Sequence, residues 1–149
     1  MIGLLQRVTH AEVAIAGEII AAIDTGLLVL IGVERGDTVT QAQRLAERLL
    51  NYRVFNDAEG RMNLNVQQIQ GNILLVPQFT LAADTSQGNR PGFSQAADPA
   101  CGAELFDQLV AATRQNLPQA VCGKFGADMA VSLVNDGPVT FSLRVPPPA

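Results

Sequence analysis

Met129-Ala130-Val131-Ser132-Leu133-Val134-Asn135-Asp136-Gly137-Pro138-Val139-Thr140-Phe141-Ser142-Leu143-Arg144-Val145 is the stretch on which the fold turns. Two β-rich runs, Met129 to Val134 and Val139 to Val145, flank the insert Asn135-Asp136-Gly137-Pro138. Asp-Gly between apolar runs is a two-residue turn signal, and a proline just after it is tolerated at the start of an edge strand, so the plain reading is a hairpin. Glycine also accepts backbone angles closed to other residues, and the bond before proline is one of the few that can be cis. The same pair can therefore aim two consecutive carbonyl oxygens in an unusual direction. The residues alone leave both readings open.

Upstream, Ile2 to Val8 reads as a strand, and Val13-Ala14-Ile15, Gly17 and Glu18 to Ile23 read as a hairpin. After the turn Asp24-Thr25-Gly26, the run Leu27 to Val33 is apolar without alternation, as a central strand covered on both faces should be. Thr38 or Asp37 can cap a helix with Ala42, Leu45, Ala46 and Leu49 on one face. Tyr52 to Phe55 reads as a short strand, Asn56 to Gly60 as a turn, and Asn63-Leu64-Asn65 as irregular. Ile73 to Phe79 is another apolar strand, in which Pro77 marks an edge or a strand end.

Asp84 to Gly92 is a polar surface loop carrying Arg90. Asp98-Pro99 opens a second helix with Cys101, Leu105, Leu109 and Ala112 on one face, ending near Asn116. Val121 to Phe125 is a further strand before Gly126-Ala127. The expected architecture is α/β: one compact domain over residues 1–145 of mostly antiparallel and mixed, barrel-like sheet covered by two helices, with a solvated proline-rich tail at 146–149.

At 149 residues the chain is the size of one domain. No apolar run approaches the roughly 20 residues that span a bilayer, and the start lacks a signal-peptide pattern, so the expected place is the cytoplasm, with no membrane partner. Two cysteines, Cys101 and Cys122, and one histidine give neither metal-ligand spacing nor a disulfide framework, so no metal and no cofactor is expected. The net charge of −4 comes without a basic cluster, which argues against DNA and against a grip on any long nucleic acid. His10, at the end of the first strand, reads as a surface residue.

No phosphate loop and no nucleophile elbow is present. Pro77-Gln78-Phe79-Thr80-Leu81 remains, with Gln78 and Thr80 alternating about Phe79, and by itself it is also consistent with an ordinary half-exposed strand. Taken together with Ala83-Asp84-Thr85 and, some way on, Asn135 to Thr140, it resembles the D-aminoacyl-tRNA deacylase family, often called D-tyrosyl-tRNA deacylase. Gln6-Arg7-Val8, Gly26 to Leu30, Met62-Asn63-Leu64, Arg90-Pro91 with Phe93-Ser94, and Phe125-Gly126-Ala127-Asp128-Met129 match the family's pattern in order.

The resemblance implies a homodimer acting on the aminoacyl-tRNA 3′ end. A cis Gly137-Pro138 would enter the partner's site near Gln78, Phe79 and Thr80, its carbonyl oxygens refusing an L side chain. Glycine esterified to tRNA should then be accepted, having no side chain to reject. Gln78, Phe79 and Thr80 are the implied catalytic residues, with backbone groups orienting the ester. Thr80 is a nucleophile by type, but no evident base accompanies it, and positioning is its expected role. Arg7 can fix the Gly-Pro carbonyls with its planar fork or serve as a surface ion-pair partner. Phe125 and Met129 can line a pocket for adenosine or the aminoacyl group, or belong to the core. Pro77 stands where the family usually has serine, and Gly92 where it more often has serine. The rival reading is a non-catalytic dimeric module for a small ligand or a protein partner.

Overall fold

The computed structural model describes residues 1–149. Its organising element is β1 (Ile2–Ile15), one continuous strand where the sequence suggested two pieces. Ala16 and Gly17 both take positive φ, 50° and 80°, and fold β2 (Glu18–Ile23) back onto the end of β1. His10 therefore lies inside a strand, paired with Val134, and not at a strand end.

β3 (Gly26–Gly32) pairs antiparallel with the first half of β1 and parallel with β6 (Asn72–Pro77). Its unbroken apolar run follows from two cores. Leu27, Val29 and Ile31 face the helices, together with Ile73 and Leu75 of β6, while Leu28 faces the barrel interior with Leu74, Val76, Val8 and Val13. A strand buried on both faces has no position to give to a polar side chain. β7 (Val121–Cys122) continues the sheet beyond β6 and is shorter than the sequence suggested. The sheet order is β2-β1-β3-β6-β7, a mixed and nearly closed barrel.

α1 (Val39–Asn51) and α2 (Pro99–Asn116) cover one face. Thr38 caps α1 in a capping box with Gln41, and the expected stripe Ala42, Leu45, Ala46 and Leu49 is buried. Asp37, the other capping candidate, instead accepts from the Met1 ammonium at 2.9 Å, both groups fully buried. Asp98 caps α2 by accepting from the Cys101 amide, with Pro99 at the first helical position as expected. β4 (Phe55–Asn56) and β5 (Met62–Leu64) form a small separate ribbon; β4 overlaps the expected strand Tyr52 to Phe55 only at Phe55, and β5 is more regular than the expected irregular piece. No helix is long and apolar enough to cross a membrane.

The hairpin expected at Asn135 to Pro138 is absent. β8 (Ala130–Arg144) is one strand that pairs with β1 along its whole length. Gln6 pairs with Thr140 and Val8 with Asn135, so Asp136, Gly137, Pro138 and Val139 stand opposite Arg7 alone. The insert bulges out of a ladder that resumes on either side. It does not reverse the chain, because the register on both flanks is held by β1. The tail after it is not wholly solvated either: Gln41 reaches the Pro146 carbonyl at 3.4 Å, and Pro147 is half-buried beside Gly36.

The end of β8 is fastened to the loop before α1 by a two-pronged ion pair, Arg144 Nε and Nη2 to Glu34 at 2.9 and 2.7 Å. The hydrogen-bonded guanidinium holds the Glu34 carboxyl below its ordinary range, against the opposing effect of burial. A lowered folded value means that the stabilisation is complete at neutral pH and is lost as the pH falls through that value. Arg144 is more than half exposed, which keeps the contribution small. Denaturant titrations of wild type and Arg144→Ala should show a constant stability gap above about pH 5, narrowing once the pH drops below about 4, where unfolded glutamate is itself protonated.

Candidate active site

β6 stops at Pro77 because proline brings no amide hydrogen and the neighbouring β7 has already ended. Gln78 N–H makes a last bond to the Ile31 carbonyl at 2.7 Å, and Phe79–Ala82 then turns into a single 3₁₀ turn, not the continued strand that the alternation suggested. Within it, Leu81 N–H donates to the Gln78 carbonyl at 3.2 Å. Phe79 and Thr80 come before that first internal donor, so their amides are the ones that a single turn leaves without an internal partner. The Gln78 side-chain amide donates to the Thr80 hydroxyl oxygen in a very close contact. No carboxylate, imidazole or amine is hydrogen-bonded to Thr80.

Beside this turn lies a cavity of about 470 Å³, within the usual size range of ligand pockets. Val76 to Phe79 form one wall, and Phe125 to Met129 with Val131 form another. Pro99, at the start of α2, and Ala97, just before its cap, also line it. Met129 lies where it does because Gly123 has no side chain: a Cβ there would stand 2.8 Å from the Met129 sulfur and 3.5 Å from the Pro77 ring. Gly123 needs no unusual φ, and its N–H extends the β6–β7 pairing to the Leu75 carbonyl at 2.8 Å. Space, not backbone freedom, is what glycine supplies here. A polar groove of about 400 Å³ between α1 and α2 is lined largely by amides such as Gln43, Gln108 and Gln115. Its one carboxylate, Glu47, is already paired with Arg44 at 2.9 Å.

The Gly137-Pro138 bulge is elsewhere. Its peptide bond is cis, and Gly137 has φ 126°, a backbone region that side chains rarely adopt. Arg7, only 9% exposed, lies under it: Nε donates to the Asp136 carbonyl at 3.2 Å and Nη1 to the Val54 carbonyl at 2.8 Å. Its partners are thus mainly backbone oxygens, with the Asp136 carboxylate at 3.4 Å. Asn135 ties the neck, accepting from Val139 N–H at 3.2 Å and donating to the Thr140 hydroxyl at 2.8 Å.

The structure therefore sorts the sequence candidates into two places. Gln78, Phe79, Phe125 and Met129 meet at the cavity, with Thr80 bonded to Gln78 at its edge. Arg7, Gly137 and Pro138 meet at the bulge. Arg7 pairs with Leu27, and Leu27 with Ile73, four residues short of Pro77. From Pro77 the bulge is thus about 13 Å away along the strands and about 14 Å, three strand spacings, across the sheet, while Val131 in the cavity's other wall lies on the same strand as Gly137, six residues away. Gly123, Ala97, Pro99 and Val131 were not read as site residues. Only the glycine directly after a strand carried a signal, as a place where something packs close to backbone. His10 is half exposed, with Glu12 at 3.9 Å and Asp24 at 3.7 Å, and the Cys101 thiol is pushed up by burial and by Asp98 and Glu104.

The family described as D-Tyr-tRNA(Tyr) deacylase matches residues 4–144. A protein of Nitrosococcus oceani named D-aminoacyl-tRNA deacylase is 56% identical over 147 residues, covering 99% of this chain and 95% of the relative. One of Stutzerimonas stutzeri, with the same name, is 59% identical, covering 97% and 99%. Among solved structures, one titled c-Myc DNA Unwinding Element Binding Protein superposes with a TM-score of 0.93 at 37% identity, covering 98% of this chain and 99% of that one. Another, titled as a probable eukaryotic D-amino acid tRNA deacylase, has a TM-score of 0.79 at 17% identity, covering 95% and 98%. The latter likeness is one of fold.

Gly123→Ala should push the Met129 thioether toward the cavity and cost about 1–2 kcal/mol in thermal or denaturant unfolding. In a Met129→Ala background the same methyl should cost almost nothing, because the atom it meets has gone.

Proposed function

Since the chain belongs to the D-Tyr-tRNA(Tyr) deacylase family, we propose that its cavity holds the aminoacyl-adenosine end of tRNA and that the Gln78 to Thr80 turn performs the hydrolysis. The protein is a D-aminoacyl-tRNA deacylase, a hydrolase of aminoacyl-tRNA ester bonds, and not a non-catalytic module. Water adds to the ester carbonyl, and the tetrahedral intermediate expels the ribose oxygen, giving a free amino acid and tRNA. The observation that carries the reading is the pair of amides, Phe79 and Thr80, that the 3₁₀ turn leaves open at the cavity's edge. Two fixed N–H donors stabilise a developing oxyanion without any titratable side chain.

Thr80 positions and does not attack. Its oxygen accepts from the Gln78 amide, which draws electron density from it, and no base is hydrogen-bonded to it. The substrate's own 2′-hydroxyl can help to activate the water. Pro77, standing where the family usually has serine, contributes ring surface to the cavity wall and leaves Gln78 and the following amides in place.

The chiral screen is the Gly137-Pro138 bulge of a partner subunit. Within one chain the bulge lies six residues, up to about 20 Å, along β8 from Val131 in the cavity wall, a gap that the bulge of a second copy can bridge. β8 has an unpaired edge, and Val134 and Phe141 on it are exposed, which suits a surface that a homodimer covers. There the carbonyl oxygens of Gly137 and Pro138 stand where an L side chain would go, while the α-hydrogen of a D residue fits. Glycyl-tRNA, lacking a side chain, is hydrolysed as well. Arg7 holds the bulge in position from beneath. Such a protein works in the cytoplasm, where charged tRNA is found. The name of one structural relative refers to DNA, but this chain has a net charge of −4 and no basic cluster for that purpose.

The purified protein should hydrolyse a D-aminoacyl-tRNA and glycyl-tRNA while sparing the L-aminoacyl-tRNA. Sparing of the D ester by a folded protein would sink the assignment of the site. Thr80→Ala should lower kcat about tenfold, far short of the loss, on the order of 10⁶, that follows removal of a nucleophile. Arg7→Ala should lower the D-over-L preference at least about tenfold as the bulge loses its anchor, with gel filtration reporting whether the dimer persists.

A further inference from the structure

Phe79 and Phe93 are 57% and 44% exposed, and their ring centroids stand 5.3 Å apart with the planes tilted by 48°. Two of the chain's six phenylalanines thus sit side by side in solvent, forgoing the burial that the core gives to Phe55 and Phe106. Phe93 is not on a free arm. Asp84 and Gly92 exchange both backbone hydrogen bonds, at 2.7 and 3.0 Å, and Arg35 N–H holds the Gln95 carbonyl at 2.8 Å. The ring is therefore presented from a pinned loop, which also carries the exposed cation Arg90. Phe79 belongs at the same time to the wall of the cavity, so the pair continues the cavity outward.

We propose that Phe79 and Phe93 form a stacking platform for the nucleobase next to the terminal adenosine of the RNA. The inference rests on the reading of the cavity as the pocket for that adenosine. With its 3′-terminal nucleoside in the cavity, a single-stranded RNA end passes over the cavity mouth, where the rings are. Stacking suits an enzyme that meets many tRNAs, because every base offers a π face. It also suits a chain of net charge −4, which has little phosphate grip to rely on. Arg90 adds one cation beside the platform.

The test compares two substrates, a D-aminoacyl-tRNA and the minimal D-aminoacyl-adenosine, for wild type, Phe93→Ala, Phe93→Leu and Phe93→Trp. Removal of the ring should raise KM for the tRNA about tenfold with kcat little changed, and leave both constants for the minimal ester unaltered. Leucine, apolar but without a π face, should behave like alanine, and tryptophan should restore the wild-type KM. An unchanged KM for the tRNA overturns the proposal. So does an equal loss on both substrates, which would make Phe93 part of the cavity's support, or a change of oligomeric state on gel filtration, which would assign the ring to a contact between copies. A wild type inert toward both esters would remove the pocket reading and the platform with it, whereas an active wild type with an indifferent Phe93→Ala removes the platform alone.

Discussion

The antiparallel pairing of β1 with β8 is the constraint on which this molecule depends. β1 has β3 and then β2 on one edge and β8 on the other, so its backbone is saturated along nearly its whole length. Such a strand fixes the register of everything beside it. The four residues opposite Arg7 cannot be absorbed by sliding β8, because that would turn the buried Val139 and Leu143 away from the core. They are forced outward as a bulge, and the buried Arg7 guanidinium satisfies the Asp136 carbonyl oxygen within it while also donating to the Val54 carbonyl outside the ladder.

The Gln78 to Thr80 turn arises from a comparable interruption. β6 runs as a fully apolar strand until Pro77 withholds an amide and β7 ends beside it, and the chain coils once before leaving the sheet. A strand end that becomes a single 3₁₀ turn exposes two donors at a place held by the central strand through the Gln78–Ile31 bond. Chemistry that needs oriented backbone dipoles is well served by this arrangement, since the donors are fixed by the sheet and require no side-chain ordering. The cavity gains its shape from small features behind it, above all the missing side chain of Gly123, against which Met129 lies.

Taken alone, the glycine-proline pair reads as a turn and the Gln-Phe-Thr run as an ordinary half-exposed strand; their order along the chain, together with the other matched stretches, identified the family. The helices were equally legible. An amphipathic stripe with a Thr cap or an Asp-Pro start encodes its own boundaries within a few residues, and α1 and α2 begin where those signals stand. The continuity of β1 was less visible, since Thr9 and His10 look like a break when read locally and are carried through by pairing with β8. The register of the 135–140 insert was likewise hidden: Asp-Gly followed by proline is a turn signal in any sequence, and only a partner strand that continues past it converts the turn into a bulge.

By itself, then, the sequence determined the two-sided apolar strand β3, the apolar run of β6 with Pro77 at its end, the helix caps, and the kinds of residue available for chemistry, because each of these follows from local periodicity and from what a side chain can donate, accept or bury. Tertiary structure alone decided that Gln78, Phe79, Phe125 and Met129 share one cavity while Arg7, Gly137 and Pro138 meet at a separate bulge. The physical reason is that strand pairing joins residues remote in the chain through backbone hydrogen bonds that carry no side-chain signature. Which carbonyl sits over which guanidinium is settled only when the whole ladder has closed.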